Sequence, residues 1–460
     1  MAEERTLTRR EIFSCCATGM AGLAFADLVA RTGILSADTE RNSLAPRKPH
    51  FAPRVKRVIN LLAPGGPSQI DTFDPKPALR ASAEKHQKFG ETQNPALPSP
   101  FRFRKYGESG IEISELFPAL GRVADDLCVI RSMTTDSNNH DQARMFMNCG
   151  DSFQARPSMG SWVTYGLGSE NQNFPGFIVL APNARPSDGT NWRSAFLPGI
   201  YQGTYVNTAP SESGTLIDNL RNEQVSSRDQ AAQLQLLKKL DQGHRTELDA
   251  RLQSFELAFR MQAEALDALD LRQEPQHILD LYGPGVQARQ FLMARRLAER
   301  GVRFVQVWAG QWDHHQSIHQ TLPPACREQD QALAALLIDL KQRGMLDDTL
   351  VVWGGEFGRT PTGQAPNEDS VFTHTYGRDH HHTGFTMWLA GGGVKAGLTY
   401  GATDELGFKA VENPVHVRDL HATILHLLGF DHEKLTVRYA GRDFRLTDIG
   451  GRVVSGILQS

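Results

Sequence analysis

Short, nearly unbroken apolar runs alternate along this chain with segments whose apolar residues recur every three or four positions. Val55–Ala63 (Val-Lys-Arg-Val-Ile-Asn-Leu-Leu-Ala) ends at Pro64-Gly65-Gly66-Pro67, which predicts a strand stopped by a tight turn. Leu127–Arg131 and Phe177–Leu180 read as further strands, the latter stopped at Ala181-Pro182. Val302–Trp308, Thr349–Trp353 and Phe385–Leu389 follow the same pattern, and the last runs into Ala390-Gly391-Gly392-Gly393. Continuous rather than alternating hydrophobicity marks strands covered on both faces, as in a parallel sheet.

The helical segments lie between these runs. Residues 228–299 carry Leu248, Leu252, Phe255, Leu257 and Phe259 at helical spacing. They predict two or three long helices, broken near Glu274-Pro275 and Gly283-Pro284-Gly285. Val286–Glu299 leads through Gly301 into a strand, and Asp330–Arg343 leads into the next. His416–Leu428 is a helix closed by Gly429. This order predicts an α/β fold with a mainly parallel sheet covered by helices on both faces. Residues 228–299 read as a helical insertion whose simplest role is packing against that sheet. No internal repeat or low-complexity tract is present.

The N-terminus changes the picture of where the protein works. Thr8-Arg9-Arg10 precedes an uncharged Phe13–Ala26 run that is too short to span a bilayer. Small residues follow at Ala26 and Ala37. Residues 1–37 are therefore read as a twin-arginine export signal and 38–55 as a linker. The main domain is expected over 56–455, in the periplasm or beyond, with no integral membrane span. The 49 basic and 52 acidic residues nearly balance, at a net charge of −3, which excludes nucleic acid as a main partner. Outside the signal only Cys128, Cys149 and Cys326 remain, too few and too widely spaced for a disulfide framework or a Cys-x-x-Cys zinc site. Any metal falls to His, Asp and Glu.

The candidate chemistry follows the strands. Asp71 and Asp74 come after the first strand, and Asn138-Asn139-His140-Asp141 after the second. Trp312-Asp313-His314-His315 and Glu356-Phe357-Gly358-Arg359 follow two later strands, while Arg378-Asp379-His380-His381-His382 precedes Phe385–Leu389. If those strands are parallel neighbours, the post-strand clusters share one rim, where a hydrolase assembles a metal site from separate loops. Each residue alone has an ordinary alternative: Asp71 as a turn residue, Glu356 as a partner of Arg359, Asp313 and His315 as loop polars. At most two of the three consecutive histidines face one site, because neighbours in extended chain point to opposite sides. His416 and Asp419 read as a helix start, with Asp in the first turn. Ser68 lacks the Gly-x-Ser-x-Gly setting of a nucleophile.

These motifs carry a resemblance. Gly65–Pro77, Arg131–Gly150, Arg156–Trp162, Trp312–His315, Gly355–Pro361, Gly377–Gly393, His416–Leu428 and Arg442–Leu446 resemble domain-of-unknown-function family 1501. That family is abundant in planctomycete-type genomes and usually carries twin-arginine signals. It is similar to the alkaline phosphatase and sulfatase superfamily, which implies a three-layer α/β sandwich with a metal-dependent phospho- or sulfo-hydrolase site. Laid on this chain, the resemblance implies metal ligands among Asp71, Asp313, His315, Glu356, His380 and His381. It implies one or two divalent ions; the His-rich set favours zinc, manganese or iron over calcium. Where sulfatases place their nucleophile, ten residues before Gly150, stands His140. The implied chemistry is therefore attack by a metal-activated water, with His140 as ligand or general base and Arg359 or Arg378 holding the anionic ester. The implied substrate is a sulfate or phosphate ester, of a small molecule or a polysaccharide. The alternative is a non-catalytic envelope or glycan-binding protein on a hydrolase fold.

Overall fold

The computed structural model describes residues 44–90, 93–209, 216, 226–241, 246–364 and 375–459. The expected export signal at 1–37 lies outside the described residues. A nine-stranded sheet forms the centre. Its strands are β1 (Arg57–Leu62), β2 (Leu127–Thr134), β3 (Phe177–Ala181), β4 (Thr204–Asn207), β5 (Phe304–Trp308), β6 (Thr349–Gly354), β7 (Phe385–Gly391), β8 (Leu398–Tyr400) and β9 (Val415–His416). The order is β8-β2-β7-β6-β1-β5-β3-β4, and β9 pairs with β2 at its far end. All pairings are parallel except those of β7, which runs antiparallel to both β6 and β2. The sequence predicted β1, β2, β3, β5, β6 and β7 but neither this reversal nor the edge strands β4, β8 and β9.

The helices are α1 (Gln69–Thr72), α2 (Ala78–Glu84), α3 (His140–Cys149), α4 (Met159–Leu167), α5 (Ser227–Asp241), α6 (Thr246–Leu269), α7 (Gln276–Tyr282), α8 (Val286–Glu299), α9 (Ile318–Gln342) and α10 (Val417–Leu427). The pleat explains the three layers. Ile59 and Leu61 of β1 join one apolar cluster with Phe291 and Leu297 of α8 and Leu333 and Leu337 of α9. Val58 and Leu62 join the opposite cluster with Phe146 of α3, Trp162 of α4 and Leu420 of α10. Both faces are thus buried, as continuous apolar strands require.

The breaks between α6, α7 and α8 fall at the expected Pro and Gly positions. α8 belongs to the sheet's own cover rather than to an inserted cap. The linker reading at 38–55 changes too. Val55 is buried, and residues 47–55 hydrogen-bond to carbonyls at the ends of α4 and α10: Arg47 to Leu167, Phe51 to Gly429, Arg54 and Val55 to Leu427. Cys128, Cys149 and Cys326 are buried free thiols.

This topology gathers the chemistry. β1, β2, β5 and β6 all end on one edge, and β7 begins there because it runs the other way. The segments after four strands and the segment before a fifth therefore meet on a single rim.

Candidate metal centre

His140 opens α3. The side chain of Asn139 caps that helix, accepting from the amides of Asp141 (3.1 Å) and Gln142 (3.3 Å). The ring is held on one side by Glu356, whose Oε1 lies 2.7 Å from Nδ1. Glu356 is wholly buried and is itself oriented by the Gly65 amide, which donates to both carboxylate oxygens at 3.0 and 3.2 Å. Gly65 holds φ at +107°, and a Cβ there would come within 2.6 Å of the Asp313 amide nitrogen. The turn after β1 thus needs glycine to bring its backbone between two site loops.

His315 and His380 are tethered in the same manner. His315 Nδ1 meets Gln364 Oε1 at 2.6 Å, and His380 Nδ1 donates to the backbone carbonyl of Asn138 at 2.7 Å. His380 is placed by a two-residue strand, His380–His381, paired with Gly358–Arg359. The Phe357 ring packs against His140 and His380, with centroids 4.8 and 4.7 Å away.

With each Nδ1 tied to an oxygen, the three Nε2 atoms turn inward on Asp313. Its Oδ1 lies 3.2 Å from His140, 2.8 Å from His315 and 3.5 Å from His380. One ligand atom from each of the four residues lies within 4.8 Å of every other. His315 Nε2 and His380 Nε2 are 2.9 Å apart. Where an oxygen takes the proton on Nδ1, the neutral ring turns its lone pair outward from Nε2. With both protons on Nδ1, two such lone pairs face each other, an arrangement that a cation between them satisfies; Arg359 Nη1, 3.3 Å from His315 Nε2, is the other donor within reach. His140 Nε2 is buried without a hydrogen bond. Three imidazole nitrogens and one carboxylate, each imidazole steadied by an oxygen, fit a transition-metal or zinc ion.

The electrostatics agree with a strongly coupled cluster. Burial opposes charge on Asp313, yet the contacts with His140, His315, His380 and Arg359 hold its carboxyl far below the ordinary range. Burial likewise disfavours a charged His140, but Asp313 and Glu356 outweigh it and raise the ring to about 9. For His315 the Asp313 hydrogen bond dominates and raises it.

The remaining expected site residues are placed elsewhere. Asp71 is fully buried beside Arg378, whose Nε and Nη2 donate to it at 2.7 and 3.1 Å, and Ser68 Oγ donates at 2.6 Å. Its oxygens are spoken for, so Asp71 is a structural anion and not a ligand of this cluster. Burial works against its charge, and Arg378 lowers its pKa nonetheless. Ser68 is buried against Asp71 and does not line the cavity into which the cluster opens. Arg378 is itself buried, donating also to the Thr360 carbonyl at 3.1 Å. Arg359 is equally buried and donates to the carbonyls of Gly65, Gly66 and Arg378 and to Asp313. Neither guanidinium is open to hold an ester; Arg359 supplies a fixed positive charge beside Asp313. Glu356 holds His140 rather than joining the four converging donors. His381 points away from His380, as strand alternation demands, and burial drives it down to about 4.

The cluster opens into a cavity of about 410 Å³ lined by Gly65, Asn139, His140, Arg144, Arg185 and Asp313, among others. The side chain of Asp313 is 44% exposed there. Sequence reasoning missed the two arginines. Arg144 had a readable signal, since it stands four residues after His140 on the same helix face. Arg185 reaches the cavity from the loop after β3, and no local pattern announces it. No hydroxyl or thiol side chain is among the described residues lining this cavity.

A profile of proteins of unknown function (DUF1501) matches residues 55–458, and the chain belongs to that family. No curated protein sequence matches it. Among solved structures it is similar to the PsFucS1 sulfatase from Pseudoalteromonas sp., at 12% identity and a TM-score of 0.34, covering 84% of this chain and 69% of that one. It is also similar to an alkaline phosphatase from the Antarctic bacterium TAB5, at 12% identity and a TM-score of 0.31 over 74% of this chain and 92% of that one. A third is the lipoteichoic acid synthase LtaP from Listeria monocytogenes, at 10% identity and a TM-score of 0.32, with 85% and 76% covered.

Proposed function

We propose that this member of the DUF1501 family is an exported hydrolase of anionic phosphate or sulfate esters, dependent on a divalent metal held by His140, Asp313, His315 and His380. The observation that carries this reading is the convergence of three Nε2 atoms on Asp313, with every Nδ1 engaged by an oxygen. A divalent ion bound there supplies Lewis acidity toward an ester oxygen.

The chain's own residues do the rest. Arg144 and Arg185 on the cavity wall present guanidinium groups suited to a phosphoryl or sulfuryl group. Arg144 is held in place by the His140 carbonyl at 3.3 Å and by Asp141 at 2.5 Å. Glu356 fixes the His140 ring, and Arg359 keeps Asp313 ionised and aimed. With no hydroxyl or thiol among the described lining residues, water is the attacking group in this scheme. The twin-arginine motif supports assembly of the metal centre before export of the folded protein.

The test is turnover of a panel of phosphate and sulfate monoesters and diesters by wild type, Asp313→Ala and Arg144→Ala. The expected result is wild-type hydrolysis abolished by a chelator and restored by zinc, manganese or iron. Asp313→Ala should be inactive, and Arg144→Ala should raise KM about tenfold or more. A wild type loaded with metal that turns over no ester overturns the hydrolase reading.

A further inference from the structure

A second cleft of about 590 Å³ is lined by Trp192, Arg193, Phe196 and Tyr439 among others, and the mechanism above does not use it. One short chain segment leads from the first cavity to the second. Arg185 lines the first cavity, and Gly189 and Trp192 of the 3-10 segment Pro186–Trp192 line the second. At about 2 Å per residue that segment is roughly 14 Å long.

The cleft is aromatic and polar together. Phe196 and Tyr439 stack at 4.9 Å with ring planes 17° apart, and Trp192 is stacked on Tyr205 behind it. Phe196 is presented by a turn in which Ala195 holds φ at +49°, a conformation that L residues rarely adopt. Gln202 braces this turn, accepting from the Ser194 amide at 2.9 Å and donating to the Trp192 carbonyl at 3.1 Å. Arg193 is exposed at the cleft and makes no ion pair among the described residues. The partly exposed Phe196–Tyr439 stack, beside a few amide, hydroxyl and guanidinium groups, suits a sugar better than a lipid or an apolar peptide. The unpaired cation adds a preference for anionic sugars.

We propose that this cleft is a saccharide subsite. The ester attacked at the metal centre then belongs to an anionic oligosaccharide whose further rings run along residues 186–192 into the cleft. This assignment of substrate class rests on the hydrolase reading, but binding in the cleft does not require the metal.

The experiment measures binding by calorimetry to the full-length protein, with and without chelator. The probes are size-defined hexasaccharides of heparin, chondroitin sulfate, carrageenan and phosphomannan, each beside its desulfated or dephosphorylated counterpart. At least one anionic hexasaccharide should bind, with or without metal, and more tightly than its uncharged counterpart. Arg193→Ala, at an exposed position that leaves the fold intact, and Tyr439→Ala should each weaken that binding about tenfold. Turnover of a small monoester should be unchanged in both variants. Failure of every hexasaccharide to bind, or equal binding by wild type and both variants, overturns the subsite while small-ester turnover leaves the hydrolase standing. Saccharide binding lost in the variants, without any ester turnover, removes the hydrolase and keeps the subsite.

Discussion

Two carboxylates, Asp313 and Glu356, flank one imidazole and take different parts because of where they sit. Glu356 is sealed behind His140 and bonded to a backbone amide. Asp313 faces the cavity among three ring nitrogens. In the proposed centre the first orients a ligand and the second is one. Groups behind a ligand typically change metal affinity by 10- to 100-fold. Glu356→Gln, which keeps an acceptor for His140 Nδ1, should weaken metal binding about tenfold. Glu356→Ala should approach a hundredfold. A competitive chelator titration checks this, and unchanged affinity in Glu356→Ala would contradict the assignment. Sequence reasoning reached both residues but ranked them alike, because position after a strand places a side chain on the rim without saying which neighbour it meets. Asp71 shows the same limit. Its local pattern matches a ligand, and only the fold brings Arg378 onto it from 307 positions away.

At the scale of elements, α10 is fastened to α3 by a buried histidine. His421 Nε2 donates to the Met147 carbonyl at 2.7 Å, and burial lowers the ring from 6.5 to about 4. The folded protein therefore keeps His421 neutral over a range where the unfolded chain binds a proton there. Its contribution is full above pH 6.5 and is lost as pH falls from 6.5 toward 4. The loss amounts to something on the order of 3 kcal/mol. His421→Gln, which retains a donor for Met147, should flatten that part of the stability curve; chemical denaturation across pH 4 to 7 measures it. Equal slopes in the two proteins would contradict the account. The six long apolar strands and the Pro- and Gly-marked helix breaks were legible from periodicity and punctuation alone; the short edge strands β4, β8 and β9 were not. The direction of β7 was not, because a strand buried on both faces reads the same whichever way it runs. Yet that reversal brings His380 to the rim.

Across the whole molecule, one feature of the sequence held most of the information: polar clusters immediately after apolar strands. Four parallel strands and one reversed strand turn that linear pattern into a single rim, so the convergence of His140, Asp313, His315 and His380 follows from topology. The closure around Asp71, Arg359 and Arg378 was hidden, since burial of a charge depends on partners distant in sequence. Arg185 and the aromatic cleft were hidden for the same reason. Their residues come from the loop after β3 and from the hairpin that carries Tyr439, each unremarkable alone.

The central claim is that the four converging residues form a metal centre, and metal content tests it most directly. Elemental analysis of protein purified without chelator, followed by reloading with cobalt and its visible spectrum, should show at least one tightly held divalent ion per chain in a nitrogen-rich, low-coordinate field. His140→Ala, His315→Ala and His380→Ala should each lose that spectrum while remaining folded. A folded wild type that holds no divalent ion after loading, or a cobalt spectrum unchanged in all three variants, would contradict the account.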